Sequence, residues 1–130
     1  MGDYAVKQID EMESTFMGGM KKARAELGVE SFGMQVIDLP PNFDRYPAHD
    51  HSHDGQEEVF VAMRGDGHIE VDGEQVTLDP SLIVRVGPGP TRKLVSGESG
   101  IRVLALGGVP GQVYEAPEVT RLGAPDPMAS

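Results

Sequence analysis

The sequence predicts an all-β single domain, a closed barrel or two-sheet jelly roll, with a short N-terminal helical segment. Three observations carry this. About eight short runs of apolar and β-branched residues follow one another from residue 31 onward, each ended by Gly, Pro, Asp or Ser. The 17 glycines and 10 prolines among 130 residues supply many turns and leave little room for long helices. Asp72-Gly73 lies between two of the runs, and this dipeptide suits the turn types that match strand twist.

The elements follow in order. Residues 1–30 read as an N-terminal segment packing on the barrel, residues 31–115 as the barrel and residues 116–130 as a C-terminal tail. In the first part, residues 20–27 (MKKARAEL) are good helix formers, and Gly28 stands where a helix-ending glycine belongs. Phe16, Met17 and Met20 give this part an apolar face, most simply used for packing. Asp10, Glu11 and Glu13 read as a solvated face. Residues 32–39 are strand-like, alternate only roughly, and stop at Pro40-Pro41. Residues 46–53 form a histidine-bearing strand, and residues 57–64 another, closed by Gly65-Asp66-Gly67. Residues 68–71 and 74–78 make the hairpin about Asp72-Gly73. Residues 82–86, 91–95 and 101–106 complete the strands, separated by Gly87-Pro88-Gly89-Pro90 and by the turn Ser96-Gly97-Glu98-Ser99-Gly100. Residues 123–130 are expected to fray. No repeat or linker divides the chain, so its length reads as one domain.

Composition excludes several functions. The net charge of −10 opposes binding to a polyanion, which needs Lys and Arg against phosphates. The 5% aromatic content and lack of Trp supply few stacking platforms for bases. No nucleic-acid partner is expected. With no cysteine, disulfides, thiolate zinc sites and cysteine nucleophiles are ruled out. The start, MGDYAVKQIDEME, lacks the apolar centre of a signal peptide, and apolar runs such as residues 59–63 are too short to span a bilayer. A soluble cytoplasmic protein without a membrane partner is the expectation.

Chemistry concentrates in PAHDHSHDGQEEVF, residues 47–60. His49, His51 and His53 alternate, so in an extended strand their rings leave on one face. A turn at Asp54-Gly55-Gln56 then returns the chain and brings Glu58 toward them. Imidazole and carboxylate together suit zinc, iron, nickel, copper or manganese. Three alternate residues span roughly 13 Å when extended, so two histidines with Glu58 fit one ion better than all three. Phe60 and Ala62 share a face with Glu58 and predict an apolar pocket wall, with Phe60 a candidate substrate contact. Glu57 faces the other way, toward a surface role. Arg64 and Arg85 read as exposed strand charges or ion-pair partners, and His68 as solvated or packed.

These residues resemble the cupin family over about the central half of the chain. Its first motif has two histidines one residue apart, a glutamate after three or four more, and a glycine after a further six. His51, His53, Glu58 and Gly65 meet that spacing, although Arg45 stands where a glycine usually precedes them. A second registration is open: cupins often carry Pro two residues before the first histidine, as in Pro47-Ala48-His49, which makes His49 and His51 the pair. The second motif usually adds a histidine after a Pro-x-Gly turn. Here Gly89 fits, Gly87 replaces the proline, and Arg92 replaces the histidine. Arg92 offers donors only and is no ordinary metal ligand.

The resemblance implies a single-domain cupin jelly roll, commonly a homodimer. It implies a small-molecule ligand and a divalent iron, manganese, nickel or zinc ion held by His49, His51, His53 and Glu58 or a subset of them. It also implies dioxygenase or isomerase chemistry on a small anionic substrate, with Arg92 orienting the anion. The other open reading is a non-catalytic ligand-binding or metal-sensing protein. There Arg92 has displaced the metal and pairs with Glu58 or holds a small acid.

Overall fold

The computed structural model describes residues 2–129; Met1 and Ser130 lie outside the described residues. The strands are β1 (Ser14–Thr15), β2 (Met20–Lys21), β3 (Gly33–Leu39), β4 (Glu57–Val71), β5 (Glu74–Leu78), β6 (Ile83–Val86) and β7 (Arg92–Gly108). They form an antiparallel, jelly-roll-like arrangement in the order β1-β2-β3-β7-β4-β5, with β6 on β4. One short helix, α1 (Ala23–Leu27), and two 3-10 turns, Ile9–Glu11 and Glu118–Thr120, complete it. Among the described residues no helix is long and apolar enough to cross a membrane.

Two elements are longer than the sequence predicts. Residues 57–64 and 68–71 are one strand, β4, and residues 91–95 and 101–106 belong to one strand, β7. The glycines between them bend the strands instead of ending them. Register shifts fall between Ala62 and Arg64 and between Gly65 and Gly67. Gly65 has φ 75°, and a Cβ there would collide with the Gly100 carbonyl oxygen. The first half of β4 therefore lies between β6 and the C-terminal half of β7, and its second half between β5 and the N-terminal half of β7. The hairpin at Asp72-Gly73 forms as expected, with φ 48° and 86° at its two central residues.

The main core fills the interior with Ile37, Leu39, Phe60, Ala62, Ile69, Leu78, Val86, Leu94, Ile101, Val103 and Ala105. A second cluster packs Met12 and Ala23 on Val36, joined by Ile9, Met34 and Leu104. Strand β3 thus buries both faces, Ile37 inward and Val36 against the N-terminal segment, which explains its imperfect alternation. Helix α1 is shorter than residues 20–27, because Met20 and Lys21 pair with Ile37 and Val36 as β2. Gly28 closes it at φ 77°, its N–H donating to the Arg24 and Ala25 carbonyls. Phe16 and Met17 are not on a helix face. They form the β1–β2 turn at φ 55° and 54°, and Met17 is exposed.

The acidic N-terminal residues are not simply solvated. Glu13 accepts from the buried Lys22 Nζ at 2.7 Å, and Asp10 is bonded to the buried Arg102. Arg102 also grips Asp38, from Nε to Oδ1 at 2.8 Å and from Nη2 to Oδ2 at 3.1 Å. Lys22 Nζ reaches the Arg121 carbonyl at 2.8 Å as well. Asp126 accepts from the Met17 N–H at 2.7 Å, and Glu13 from the Gly123 N–H at 2.7 Å. Much of the tail expected to fray is therefore tied to the N-terminal segment.

Candidate metal site and cleft

The histidine-bearing residues 46–53 do not form a regular strand. His49 alone bridges to Arg92, with paired backbone bonds of 3.0 Å and 2.8 Å. The His51 N–H donates to the Pro88 carbonyl at 2.9 Å, and the chain then turns over residues 52–55. Asp50 fixes the turn's start by accepting from the Ser52 N–H and hydroxyl. Asp54 fixes its end by accepting from the Gln56 N–H at 2.9 Å, and Gly55 supplies φ 76°. These bonds replace the extended backbone by a turn, while the rings stay neighbours, with centroids 5.1 Å apart for His49 and His51 and 6.0 Å for His51 and His53.

The result brings His49, His51 and Glu58 together. One ligand atom from each lies within 4.8 Å of the others. Glu58 Oε1 stands 3.3 Å from His51 Nε2 and 3.8 Å from His49 Nε2. His53 is outside this group: its side chain is 74% exposed and its Nε2 faces Asp54 Oδ2 at 3.5 Å. His68, on the distant half of β4, approaches Glu70 at 3.7 Å. Glu57 points away from Glu58 and pairs with Arg85 at 2.8 Å.

Arg92 is 1% exposed and lies under the cluster. Its Nη1 donates to Glu58 Oε1 at 2.9 Å, its Nη2 to the carbonyls of Gly87 and Pro90, and its Nε to Pro90 at 3.3 Å. The Gly87–Pro90 connector therefore wraps the guanidinium. Burial acts to raise the Glu58 carboxyl, but His49, His51 and Arg92 outweigh it and hold the group below 4.5. The Glu58 carboxylate raises His49 above 6.5, against the opposing effect of burial.

A cleft of about 1390 Å³ opens beside the cluster. Its apolar wall includes Ile37, Leu39, Phe43, Ile101 and Ala105. Phe60 is buried in the core and Arg92 beneath Glu58, and neither is among the residues lining the cleft. Sequence reasoning did not pick out Tyr46 and Gln56. The Tyr46 ring lies 6.1 Å from that of His49, and burial pushes its phenol above the ordinary range. Gln56 Nε2 lies 3.4 Å from both ring nitrogens of His51. Its signal was available, since Gln56 is two residues before Glu58 and shares its side of the chain.

Two imidazoles and one carboxylate are a chemically suitable donor set for a divalent transition metal, with positions left for other ligands. Arg92 contributes no ligand. It takes the role of a charged neighbour that orients Glu58.

No protein-family model matches the chain, and no curated protein matches it. Solved structures do. A cupin protein from Bacteroides fragilis superposes with a TM-score of 0.69 at 19% identity, over 90% of this chain and 93% of the other. A sugar phosphate isomerase of the cupin superfamily from Silicibacter pomeroyi gives 0.62 at 14% identity, over 79% and 74%. The Cupin_2 domain of an XRE family transcriptional regulator from Enterobacter cloacae gives 0.52 at 26% identity, over 62% and 83%. With this strand arrangement and those superpositions, the chain has the fold of a cupin-type domain.

Proposed function

We propose that the chain is a small metal-dependent cupin enzyme acting on a small anionic substrate. In this reading His49, His51 and Glu58 hold the ion, which is iron, manganese, nickel or zinc, and His53 takes no part. The observation that carries it is the convergence of three ligand atoms within 4.8 Å beside the apolar cleft. A metal held there supplies Lewis-acid polarisation of a ligand oxygen, or activation of oxygen or water, for dioxygenase- or isomerase-type chemistry. Glu58 and the two rings fix its place. Arg92 holds the carboxylate in one orientation, and the cleft's apolar wall shields the reacting group from water. We also propose a soluble cytoplasmic homodimer, as small cupins commonly are; light scattering tests its mass.

The Arg92–Glu58 contact at 2.9 Å supports a second reading, a non-catalytic ligand-binding protein without a metal, because it already satisfies Glu58. Elemental analysis of protein purified without a nickel column separates the two. The enzyme reading expects a stoichiometric transition metal that His51→Ala and Glu58→Ala each abolish. Metal persisting in both variants rejects the ligand set, and its absence from reconstituted wild-type protein favours the second reading. A substrate panel under oxygen then separates catalyst from binder.

A further inference from the structure

The cleft wall carries more cationic side chains without an ion-pair partner than carboxylates without one. Seven of the eleven Lys and Arg side chains are in ion pairs among the described residues. Of the other four, Arg45 and Arg64 both line the cleft. The two carboxylates that line it are already matched from outside the lining: Glu58 by Arg92, and Asp38 by Arg102 and Lys21. Asp10 is within electrostatic reach of Arg64 but is bonded to Arg102. In a chain of net charge −10, this leaves two arginines without an ion-pair partner on the lining of one cavity. Arg45 is also held in place, its guanidinium carbon 5.5 Å from the centroid of the Phe43 ring, and Phe43 itself packs against the core and lines the cleft.

We propose that the cleft binds an organic acid with an apolar body, its carboxylate held by Arg45 and Arg64. The apolar body lies along Ile37, Leu39, Phe43 and Ile101. A planar guanidinium suits a carboxylate, and two of them in a largely apolar cavity select an anion over a neutral chain of equal length. The placement of the acid's far end at His49, His51 and Glu58 rests on the metal reading above; the arginine subsite does not. This moves anion recognition from Arg92, which is bonded to Glu58, Gly87 and Pro90 and does not line the cleft, to the two arginines that do.

Calorimetric titration of the wild-type protein and of the Arg45→Gln/Arg64→Gln double variant with octanoate, octan-1-ol and octyl phosphate tests this. Both arginines are exposed, so the variant keeps its fold, which its thermal melt checks. Octanoate is expected to bind the wild type and to weaken by about tenfold or more in the double variant, with octanol weak in both. Equal octanoate affinity in the two proteins, octanol binding as tightly as octanoate, or no octanoate binding to the wild type overturns the proposal. Tighter binding of octyl phosphate overturns the carboxylate assignment. Metal content is read on the same samples. Protein that holds no metal yet binds octanoate through the two arginines ends the metal reading and sustains this one.

Discussion

Arg92 and Glu58 form an ion pair of 2.9 Å in which the arginine side chain is 1% exposed and the carboxylate 14%. Arg92 is also joined to His49 by two backbone bonds, so one residue aligns both a candidate ligand and the carboxylate beside it. The pair is at once a structural link and part of the candidate site, and mutations at its two ends have different expected effects.

Arg92→His replaces a donor-only side chain by a possible fourth ligand. Metal affinity is expected to rise by about tenfold or more, measured by competition with a chelating dye. Unchanged or weaker binding would show that this position does not face the ion.

Glu58→Ala strands the Arg92 charge in the interior. The expected loss of stability is about 3 kcal/mol, read from urea unfolding of metal-free protein. Adding Arg92→Met to that variant should recover part of the loss. A double variant less stable than Glu58→Ala alone would contradict this account.

Acid should weaken the β3–β7 link. Burial acts to raise the Asp38 carboxyl, but Arg102 and Lys21 outweigh it and hold the group below 3.8. A carboxyl with a lowered folded value contributes stability that is full above its unfolded value and is lost as pH falls through the folded one. The unfolding free energy should therefore drop below about pH 4, and Asp38→Asn should show a shallower drop. Identical acid limbs in the two proteins would refute the assignment.

Lys22→Met removes the ammonium that binds Glu13 and the Arg121 carbonyl. Faster amide exchange and proteolysis in residues 121–128 are expected, with the barrel's own protection kept. Unchanged exchange there would show that the Asp126 and Gly123 contacts suffice.

Much of the fold was legible because strand length and turn chemistry are local. Asp72-Gly73 and Gly28 behave as their residue types require. Gly65, Gly67 and Gly100 misled, because a glycine that bends a strand and one that ends it read alike in sequence. The difference lies in β4 and β7 touching each other. At the site, the His-x-His pair with Glu58 was readable from spacing, but the choice of histidines was not. It depends on the His51–Pro88 and His49–Arg92 backbone bonds, which join residues far apart in the chain. The roles of Asp10 and Glu13 were hidden for the same reason, their cationic partners being set by tertiary packing.

Since β4 and β7 each run uninterrupted past their bends, the two walls of the molecule, one carrying β6 and the other β5, are made from shared material. Neither wall can be peeled off while the other survives. Denaturation should consequently proceed as one all-or-none event, with backbone and side-chain signals vanishing together.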